Sequence, residues 1–230
     1  MVVGRGEDLA IHAASLRDIL RSTRRLLALS PTQKVLRGLL ARGVELSSLR
    51  AVELFGGRGA YHTLDYASRI LTLEVWEINP LLESELRRNL PMAKIRIVDC
   101  YAEIKQTTGR FDFLVVDNPM SVYDGHCEHF DLFPDLFRVA CDETIVLLDV
   151  IPSLPQSARN KYPYIFNEEQ RRRRRAFYQT DHPDNIPLES MVAAYRRHAE
   201  SAGFDLKWSF AVRRHFVHYL ALKISRRVVF

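Results

Sequence analysis

A glycine-rich turn, ELFGGRGAY at residues 53–61, follows a short apolar run and is the first group that could do chemistry. Its glycines, Gly56, Gly57 and Gly59, let the backbone approach a ligand that larger side chains would exclude. Glu77 follows the next apolar run, where a carboxylate can accept hydrogen bonds from both hydroxyls of a ribose. These features together predict a cofactor that contains adenosine. The sequence has no GxxxxGK[ST] pattern, so a nucleoside-triphosphate loop is not supported.

Asp117 follows another apolar run, FDFLVV at 111–116, and begins the sequence Asp-Asn-Pro-Met. If the substrate is an amine, this carboxylate could accept its N–H hydrogen bonds, orient it and stabilise developing positive charge. A plainer interpretation is that Asp117 caps a helix. The neighbouring motifs favour the catalytic interpretation.

The loop DGHCEHFD, residues 124–131, contains three side chains that can ligate metals, His126, Cys127 and His129. A zinc site normally shows paired CxxC or HxxxH ligands and a second cluster elsewhere, so we expect no metal here. We predict an active-site loop in which His126 or His129 is a candidate base. A polar helix start would explain the same residues.

Five consecutive arginines, residues 171–175, follow Glu168 and Glu169. Carboxylates one turn before arginines support a solvated helix. However, five consecutive residues occupy every side of a helix, so some of these arginines must face the protein or a ligand. A site for phosphate or another anion is therefore as good an interpretation as a solvated face.

Short apolar runs and helical patterns alternate between residues 49 and 150, which is typical of a parallel sheet built by right-handed crossovers. The runs are 49–55, 70–76, 94–98, 111–116 and 143–150, with helical patterns at 59–69, 80–90, 101–106 and 129–140. Two later strands, 204–214 and 215–227, have almost nothing between them and must be antiparallel. Helices are also predicted over 167–179 and 188–203, and a loop is predicted over 151–166.

The first 48 residues are predicted to form a helical addition. Apolar residues recur at helical spacing over 9–27, and Ser30-Pro31 opens a second helix that runs from Thr32 to about Ala41. The remainder, 49–230, is predicted as one catalytic domain with an Arg-rich insertion at 151–187.

A chain of 230 residues with 47% hydrophobic and 27% charged residues suits one α/β domain and excludes disordered and collagen-like classes. No apolar run reaches the ~18 residues of a membrane span, and the N-terminus lacks the layout of a signal peptide. The three scattered cysteines argue against a disulfide framework. We therefore expect a cytoplasmic protein with no membrane partner.

The net charge of +5 is unevenly distributed along the chain. Residues 1–50 carry +5, residues 51–150 carry −8 and residues 151–230 carry +8. Basic flanks around an acidic middle predict an anionic partner such as RNA. Ordinary solvated helix faces explain the same distribution.

Four motifs, in order, resemble those of the class I S-adenosylmethionine (SAM)-dependent methyltransferases, over roughly residues 49–225. ELFGGRG resembles the first motif, WEINP (76–80) the second, VDCYAEI (98–104) the third and FDFLVVDNPM (111–120) the fourth. The amino-acid sequences of these motifs most resemble those of RNA and DNA methyltransferases that act on nitrogen. The resemblance implies SAM as the cofactor. It also implies a doubly wound, mostly parallel seven-stranded sheet with an antiparallel last strand.

The resemblance also implies roles for particular residues. The cofactor-binding residues would be Glu53, Phe55, Gly56, Gly57, Gly59, Tyr61, Glu77, Ile78, Asp99, Cys100 and Asp117. The catalytic residues would be Asp117, Asn118 and Pro119. This chain lacks the aromatic residue that closes the fourth motif and stacks on a planar base, and Tyr123 or Phe130 could replace it. The candidates for substrate binding are Tyr123, His126, Arg171, Arg173 and Arg175.

The sequence is therefore interpreted as a SAM-dependent methyltransferase that acts on a nitrogen of a nucleic acid, with RNA favoured. A small-molecule or peptide acceptor is the main alternative, and a non-catalytic RNA-binding module with this fold is another. A nicotinamide-dependent oxidoreductase would also use a glycine-rich turn and a ribose acid. It predicts a G-x-G-x-x-G sequence and a parallel last strand, however.

Overall fold

The computed structural model describes residues 29–117, 120 and 122–228. The chain divides into two units, Met1–Ser30 and Pro31–Phe230, and every helix and strand described belongs to the second unit. The helix predicted over 9–27 lies outside the described residues, and so do Asn118 and Pro119.

Seven strands form one sheet. They are β1 (Arg50–Leu54), β2 (Thr72–Glu77), β3 (Lys94–Ile97), β4 (Phe111–Val116), β7 (Ala140–Val150), β8 (Phe204–Arg214) and β9 (Val217–Arg226), in the spatial order β3-β2-β1-β4-β7-β9-β8. The five neighbouring strands β3, β2, β1, β4 and β7 pair in parallel. Strand β9 is antiparallel to both β7 and β8. The predicted mostly parallel sheet with an antiparallel last strand is confirmed. Two short strands, β5 (Val122–Tyr123) and β6 (His126–Cys127), form a separate antiparallel hairpin.

Seven α-helices accompany the sheet in the described part of the chain. They are α1 (Pro31–Leu40), α2 (His62–Ala67), α3 (Glu83–Asn89), α4 (Cys100–Gln106), α5 (Gln156–Lys161), α6 (Glu168–Tyr178) and α7 (Leu188–Ser201). The helices predicted at 32–41, 59–69, 80–90, 101–106, 167–179 and 188–203 are confirmed, with ends that differ by a few residues.

Two predicted segments differ from the structure. The helix predicted over 129–140 is instead two short 3-10 helices, Phe130–Leu132 and Asp135–Val139. Pro134 lies between them, and a proline lacks the N–H that a continuous α-helix needs and restricts the residue before it. The loop predicted over 151–166 contains the short helix α5.

The two faces of the sheet bury two apolar cores. Alternate residues of a strand point to opposite faces, so Leu114 and Val116 of β4 belong to one core and Phe113 and Val115 to the other. Helices α4 and α7 pack on the first face, and α1, α2 and α3 pack on the second. The sheet is therefore covered on both sides, as a doubly wound fold requires.

The direction of winding changes between β1 and β4, which are neighbours in space although β2 and β3 lie between them in sequence. In open α/β sheets, ligands bind outside the carboxyl ends of the strands at such a switch point. Glu53, Glu77 and Asp117 all lie at or near these ends. Within the described residues, no helix combines the length and the apolar character needed to cross a bilayer.

Candidate active site

A cavity of about 420 Å³ lies at the carboxyl ends of β1, β2 and β4, at the switch point of the sheet. Its size falls within the range of about 300–1,000 Å³ that is usual for ligand sites. The sequence-predicted residues that line it are Phe55, Gly57, Glu77, Ile78, Asp99, Cys100, Asp117, Tyr123 and His126. Five further residues line it: Trp76, Leu82, Val98, Tyr101 and Asp124.

The glycine-rich turn is packed too closely for side chains at two of its positions. The Gly56 N–H donates to the Trp76 carbonyl at 2.8 Å, and a Cβ on Gly56 would lie 2.2 Å from Cγ1 of Val75. Gly59 has φ +61°, and its Cβ would lie 2.6 Å from Cδ1 of Leu90. Neither residue lines the cavity. Their role is to hold the turn against β2 and α3, which leaves Gly57 lining the cavity.

The turn is strained at both ends. Phe55 has φ 69° and Tyr61 has φ 85°, although neither is a glycine. Such residues cost free energy and cluster at ligand-binding loops. The Phe55 ring packs edge-on against Tyr101, with 5.8 Å between ring centroids, and so joins the cavity wall. Tyr61 precedes α2, outside the cavity lining, and is 80% exposed.

Glu77 is held in place by two backbone groups. Its Oε2 accepts a hydrogen bond from the Gly57 N–H at 2.7 Å, and its Oε1 accepts one from the Asn79 N–H at 2.8 Å. A carboxylate oxygen has about two lone-pair sites, so each oxygen can accept a further hydrogen bond from a ligand in the cavity. Glu77 therefore has a fixed orientation and spare acceptor capacity.

Asp99 and Cys100 lie at the start of α4 and line the same cavity. Asp99 caps the helix, because its Oδ1 accepts the Tyr101 N–H at 2.9 Å. Burial raises the pKa of the Cys100 thiol to about 12, which keeps it neutral at pH 7. Cys100 is thus suited to apolar contact with a ligand rather than to nucleophilic attack.

Glu53 lies outside the cavity lining, beneath the glycine-rich turn. Its carboxylate is 3% exposed and accepts hydrogen bonds from Thr63 Oγ1 at 3.0 Å and from the Tyr66 hydroxyl at 2.7 Å. Burial, with a smaller contribution from Asp117, raises the pKa of Glu53 to about 8. The structure therefore shows Glu53 fastening α2 to the end of β1, which differs from the direct cofactor contact expected from the sequence.

Asp117 lies beside a polar cluster that the sequence did not reveal. Its Oδ2 is 3.7 Å from Nε2 of His62, and the same Nε2 is 2.8 Å from Nη1 of Arg214. Arg214 Nη1 also donates to the Tyr219 hydroxyl at 3.0 Å. His62 and Arg214 are 152 residues apart, so only the folded sheet brings them together.

A guanidinium group can only donate hydrogen bonds, so Nε2 of His62 must be the acceptor from Arg214. The proton of the neutral ring then lies on Nδ1, which is 3.2 Å from Thr32 Oγ1. Burial lowers the pKa of His62, and the Arg214 charge lowers it further against the opposing effect of Asp117. His62 is therefore a neutral neighbour of Asp117 and not its ion-pair partner.

The loop after Asp117 contributes Tyr123 and His126 to the cavity. His126 stacks on Tyr101 with 3.6 Å between ring centroids, and its Nδ1 is 3.1 Å from Oδ2 of Asp131. The Tyr123 hydroxyl is hydrogen-bonded to the Tyr101 hydroxyl and to the Glu128 carbonyl. These contacts fix both rings at the cavity wall.

Two candidates from the same loop are wrong. Phe130 is buried and stacks on Phe177 at 4.3 Å, so it cannot stack on a ligand in the cavity. His129 is completely buried and lies 2.6 Å from the Tyr195 hydroxyl. Burial lowers its pKa to about 4, and it has no access to a substrate as a base. Within the described residues, no group of three or more His, Cys, Asp or Glu side chains could hold a metal ion.

The five arginines lie on α6, and each has a carboxylate partner. The pairs are Arg171 with Asp184, Arg172 with Glu169, Arg173 with Asp131, Arg174 with Glu128 and Arg175 with Glu168. None of the five lines the cavity. Arg173 is linked to the cavity through one intermediate residue, because its partner Asp131 also contacts His126 in the cavity wall.

Comparisons with known proteins identify the fold. No protein-family model matches the chain, and no curated protein sequence matches it. Three solved structures illustrate the structural likeness. Magnesium protoporphyrin IX methyltransferase from Synechocystis, with bound S-adenosylhomocysteine (SAH), is 15% identical, with 85% of this chain and 82% of that one covered and a TM-score of 0.54.

The second is a Pyrococcus horikoshii protein described as a candidate RNA methyltransferase, at 11% identity, 86% and 83% coverage and a TM-score of 0.51. The third is 1,6-didemethyltoxoflavin-N1-methyltransferase from Burkholderia thailandensis with its substrate and SAH, at 11% identity, 99% and 92% coverage and a TM-score of 0.51. The names of these proteins specify different acceptors. The chain has the fold of the class I SAM-dependent methyltransferases.

Proposed function

We propose that the chain is a SAM-dependent methyltransferase that transfers a methyl group to a nitrogen of RNA. The observation that carries this proposal is the position of Glu77 beside the glycine-rich turn. Its carboxylate is fixed at the cavity by two backbone N–H groups and retains acceptor capacity for the two hydroxyls of a ribose.

The other residues of the cavity suit the same cofactor. Gly57 lines it with backbone only, and the apolar side chains of Ile78, Leu82 and Val98 offer contact surfaces for a purine ring. Asp99 adds a carboxylate that can accept a hydrogen bond from an exocyclic amino group. A nicotinamide-dependent oxidoreductase is disfavoured, because it predicts a parallel last strand and β9 is antiparallel.

SAM, when bound, supplies a methyl group that is already activated by the positive sulfur. The protein must then orient the nucleophile and exclude water. Asp117, at the end of β4, is placed to accept hydrogen bonds from the N–H groups of an amine. This contact would leave the nitrogen lone pair available for methyl transfer and would stabilise the developing positive charge.

The RNA acceptor is supported by the sequence of the fourth motif, by the net charge of +5 and by the aromatic rings that line the cavity together with Asp117. The arginine run contributes less support than the sequence suggested, because carboxylates already pair with each of its members. A small-molecule acceptor is the alternative, since the cavity itself is mainly apolar.

Calorimetry with SAM and SAH tests the cofactor. We expect both to bind the wild-type protein, and Glu77→Gln to weaken binding between about tenfold and a hundredfold, because charge-assisted hydrogen bonds contribute about 1.5–3 kcal/mol. Glu83→Gln, an exposed carboxylate paired with Arg87, is the matched control and should bind as wild type does. Unchanged affinity in folded Glu77→Gln would remove the ribose assignment, and no binding by the wild-type protein would remove the proposed function.

Transfer of tritium from methyl-labelled SAM tests the acceptor. The wild-type protein is incubated separately with extracted RNA, DNA, protein and small molecules, and Asp117→Ala serves as the inactive control. Label in RNA that depends on Asp117 supports the proposal. Label that enters only the small-molecule fraction would overturn the RNA acceptor while keeping the enzyme class.

A further inference from the structure

A second cavity, of about 720 Å³, lies beside the turn that joins β8 to β9. Four side chains that carry or can carry positive charge line it: Lys161, Arg213, His215 and His218. The aromatic rings of Tyr162 and Phe216 form part of its wall. Cations beside aromatic rings form a surface suited to a ligand that combines an anionic group with a ring.

The described residues that line this cavity supply no carboxylate to compensate its positive charge. Arg213 donates from Nε to the His215 carbonyl at 2.7 Å, which fixes the turn and leaves its outer N–H groups for a ligand. Lys161 lies 5.2 Å from the centroid of the Tyr162 ring. In contrast, each arginine of the run on α6 has a carboxylate partner.

His218 contributes an imidazole ring to the lining of the same cavity. Its Nδ1 is buried and has no hydrogen-bond partner within the described part of the chain. Buried polar atoms normally have a partner, so this nitrogen is an exception, and it is shielded from the cavity itself. His218 pairs with Arg213 across the two strands, which brings both side chains to one place.

The basic cavity lies on the same edge of the sheet as Asp117. His218 pairs with Val150 at the carboxyl end of β7, and β7 is the neighbour of β4. Adjacent strands are about 4.8 Å apart, so the backbones of His218 and Asp117 are separated by two strand spacings, roughly 10 Å. Met120, in the fourth motif, packs on the same small apolar cluster as Tyr162 and Phe216. One extended ligand could therefore occupy both places.

We propose that this second cavity binds a phosphate group of the methyl acceptor, with a ring of the same ligand against Tyr162 and Phe216. This inference rests on the proposed function, because the ligand is a methyl acceptor only if the chain is a methyltransferase. Arg213 and Lys161 supply charge-assisted hydrogen bonds to the phosphate oxygens. The phosphate belongs either to an RNA chain or to a single nucleotide.

Binding measurements on the full-length chain test the phosphate site. The double variant Lys161→Gln/Arg213→Gln removes both cationic side chains from exposed positions, so the fold should persist. Arg172→Gln is the matched control, because it removes one exposed arginine that lies outside both cavities. The probes are a single-stranded RNA oligonucleotide, a nucleoside 5′-monophosphate and inorganic phosphate, each titrated between about 50 and 200 mM salt.

We expect the double variant to bind its phosphate probe at least tenfold more weakly at low salt, with the control unchanged. For RNA, the log–log salt slope should flatten by about 0.7 for each phosphate that the variant no longer neutralises. Weakening confined to RNA assigns the phosphate to a nucleic acid chain, and equal weakening for the monophosphate assigns it to one nucleotide.

The site is overturned if the wild-type protein binds none of the probes, or if the double variant keeps the affinity and slope of wild type. SAM calorimetry on the same proteins separates this failure from that of the proposed function. Wild-type protein that binds the phosphate probes and not SAM contradicts the proposed function. Protein that binds SAM with unaltered phosphate binding in the double variant contradicts only the second cavity.

Discussion

Arg174 and Glu128 form an ion pair in which both side chains are completely buried, with 2.8 Å between Nη1 and Oε1. Arg174 also donates to the carbonyls of Pro183 and Ile151, and Glu128 Oε1 accepts a second hydrogen bond from Gln170. Arg174 therefore fastens α6 to the loop after the β5–β6 hairpin and to the end of β7. In this position an arginine serves the fold rather than a ligand.

Replacing Arg174 with methionine should destabilise the protein strongly. The variant would leave the Glu128 carboxylate buried without its cation, and breaking a buried pair in this way costs about 3–5 kcal/mol. We expect the urea midpoint of Arg174→Met to fall by this free energy divided by the denaturant slope, and the slope itself to stay unchanged.

Two further variants make the stability measurement specific. Arg172→Gln changes an exposed member of the same run and should unfold at the wild-type midpoint. Arg174→Met/Glu128→Gln removes both charges and should recover part of the stability. If Arg174→Met alone unfolds as wild type does, the pair is not a determinant of stability.

The arginine run illustrates what the sequence could predict here. Its length showed that some side chains must face the protein, since five residues cover every side of a helix. The partner of Arg174 could not be predicted, because Glu128 is 46 residues away and its position depends on the loop after the hairpin. The strands were predictable because each is a dense apolar run bounded by polar residues or turns.

The site was predictable where local sequence determines geometry. The glycine-rich turn, Glu77 and Asp99 each lie at or just after the carboxyl end of a strand, so motif spacing was sufficient to group them. His62 was missed because Asp117 and Arg214 reach it only through tertiary contacts. Glu53 was assigned to the cofactor because its place before the turn does not reveal that Thr63 and Tyr66 cover it.

Asp117 should matter for turnover more than for binding of the cofactor. We expect Asp117→Ala to lose at least ~100-fold in methyl transfer, which is the scale observed when an oriented electrostatic partner is removed. Its affinity for SAM should change much less than its turnover, since Glu77 and the glycine-rich turn lie on other strands. Tritium transfer and calorimetry on one protein preparation measure the two quantities.

The control for Asp117 is Asp142→Asn, which changes an exposed carboxylate paired with Arg226 at the opposite end of the sheet. It should transfer methyl groups at the wild-type rate. Wild-type turnover by Asp117→Ala on the true acceptor would show that the fourth motif has no catalytic role in this chain.

The ionisation of His62 should respond in opposite directions to its two charged neighbours. Burial and Arg214 lower the pKa of His62, whereas Asp117 raises it. We therefore expect Arg214→Gln to raise this pKa and Asp117→Asn to lower it further. Titration of the His62 ring by NMR measures both changes, and the nitrogen shifts identify the neutral ring with its proton on Nδ1.

His198 provides an internal reference in the same spectra, because it lies on α7, which packs on the opposite face of the sheet from the helix α2 that carries His62. Its titration should not move in either variant. If both variants shift the pKa of His62 in the same direction, the contact with Arg214 does not control its charge.

Glu53 should make stability depend on pH in a direction that is unusual for a carboxylate. Burial raises its pKa to about 8 in the folded protein, against 4.5 in the unfolded chain. Between these values the folded protein keeps a proton that the unfolded chain releases, so the contribution of Glu53 to stability is present at low pH and declines as pH rises. The decline is at most about 1.4 kcal/mol per pH unit within this window.

Glu53→Gln keeps the size of the side chain and an acceptor oxygen for Tyr66 or Thr63, but it cannot ionise. The free energy of unfolding of both proteins is measured at pH 5.5 and pH 8. Buried histidines with lowered pKa values, such as His129, act in the opposite direction but are common to both proteins, so the difference between them isolates Glu53. We expect the wild-type protein to lose stability relative to Glu53→Gln as pH rises. A difference that is the same at both pH values would show that Glu53 is ionised throughout, with its charge stabilised by the hydroxyls of Thr63 and Tyr66.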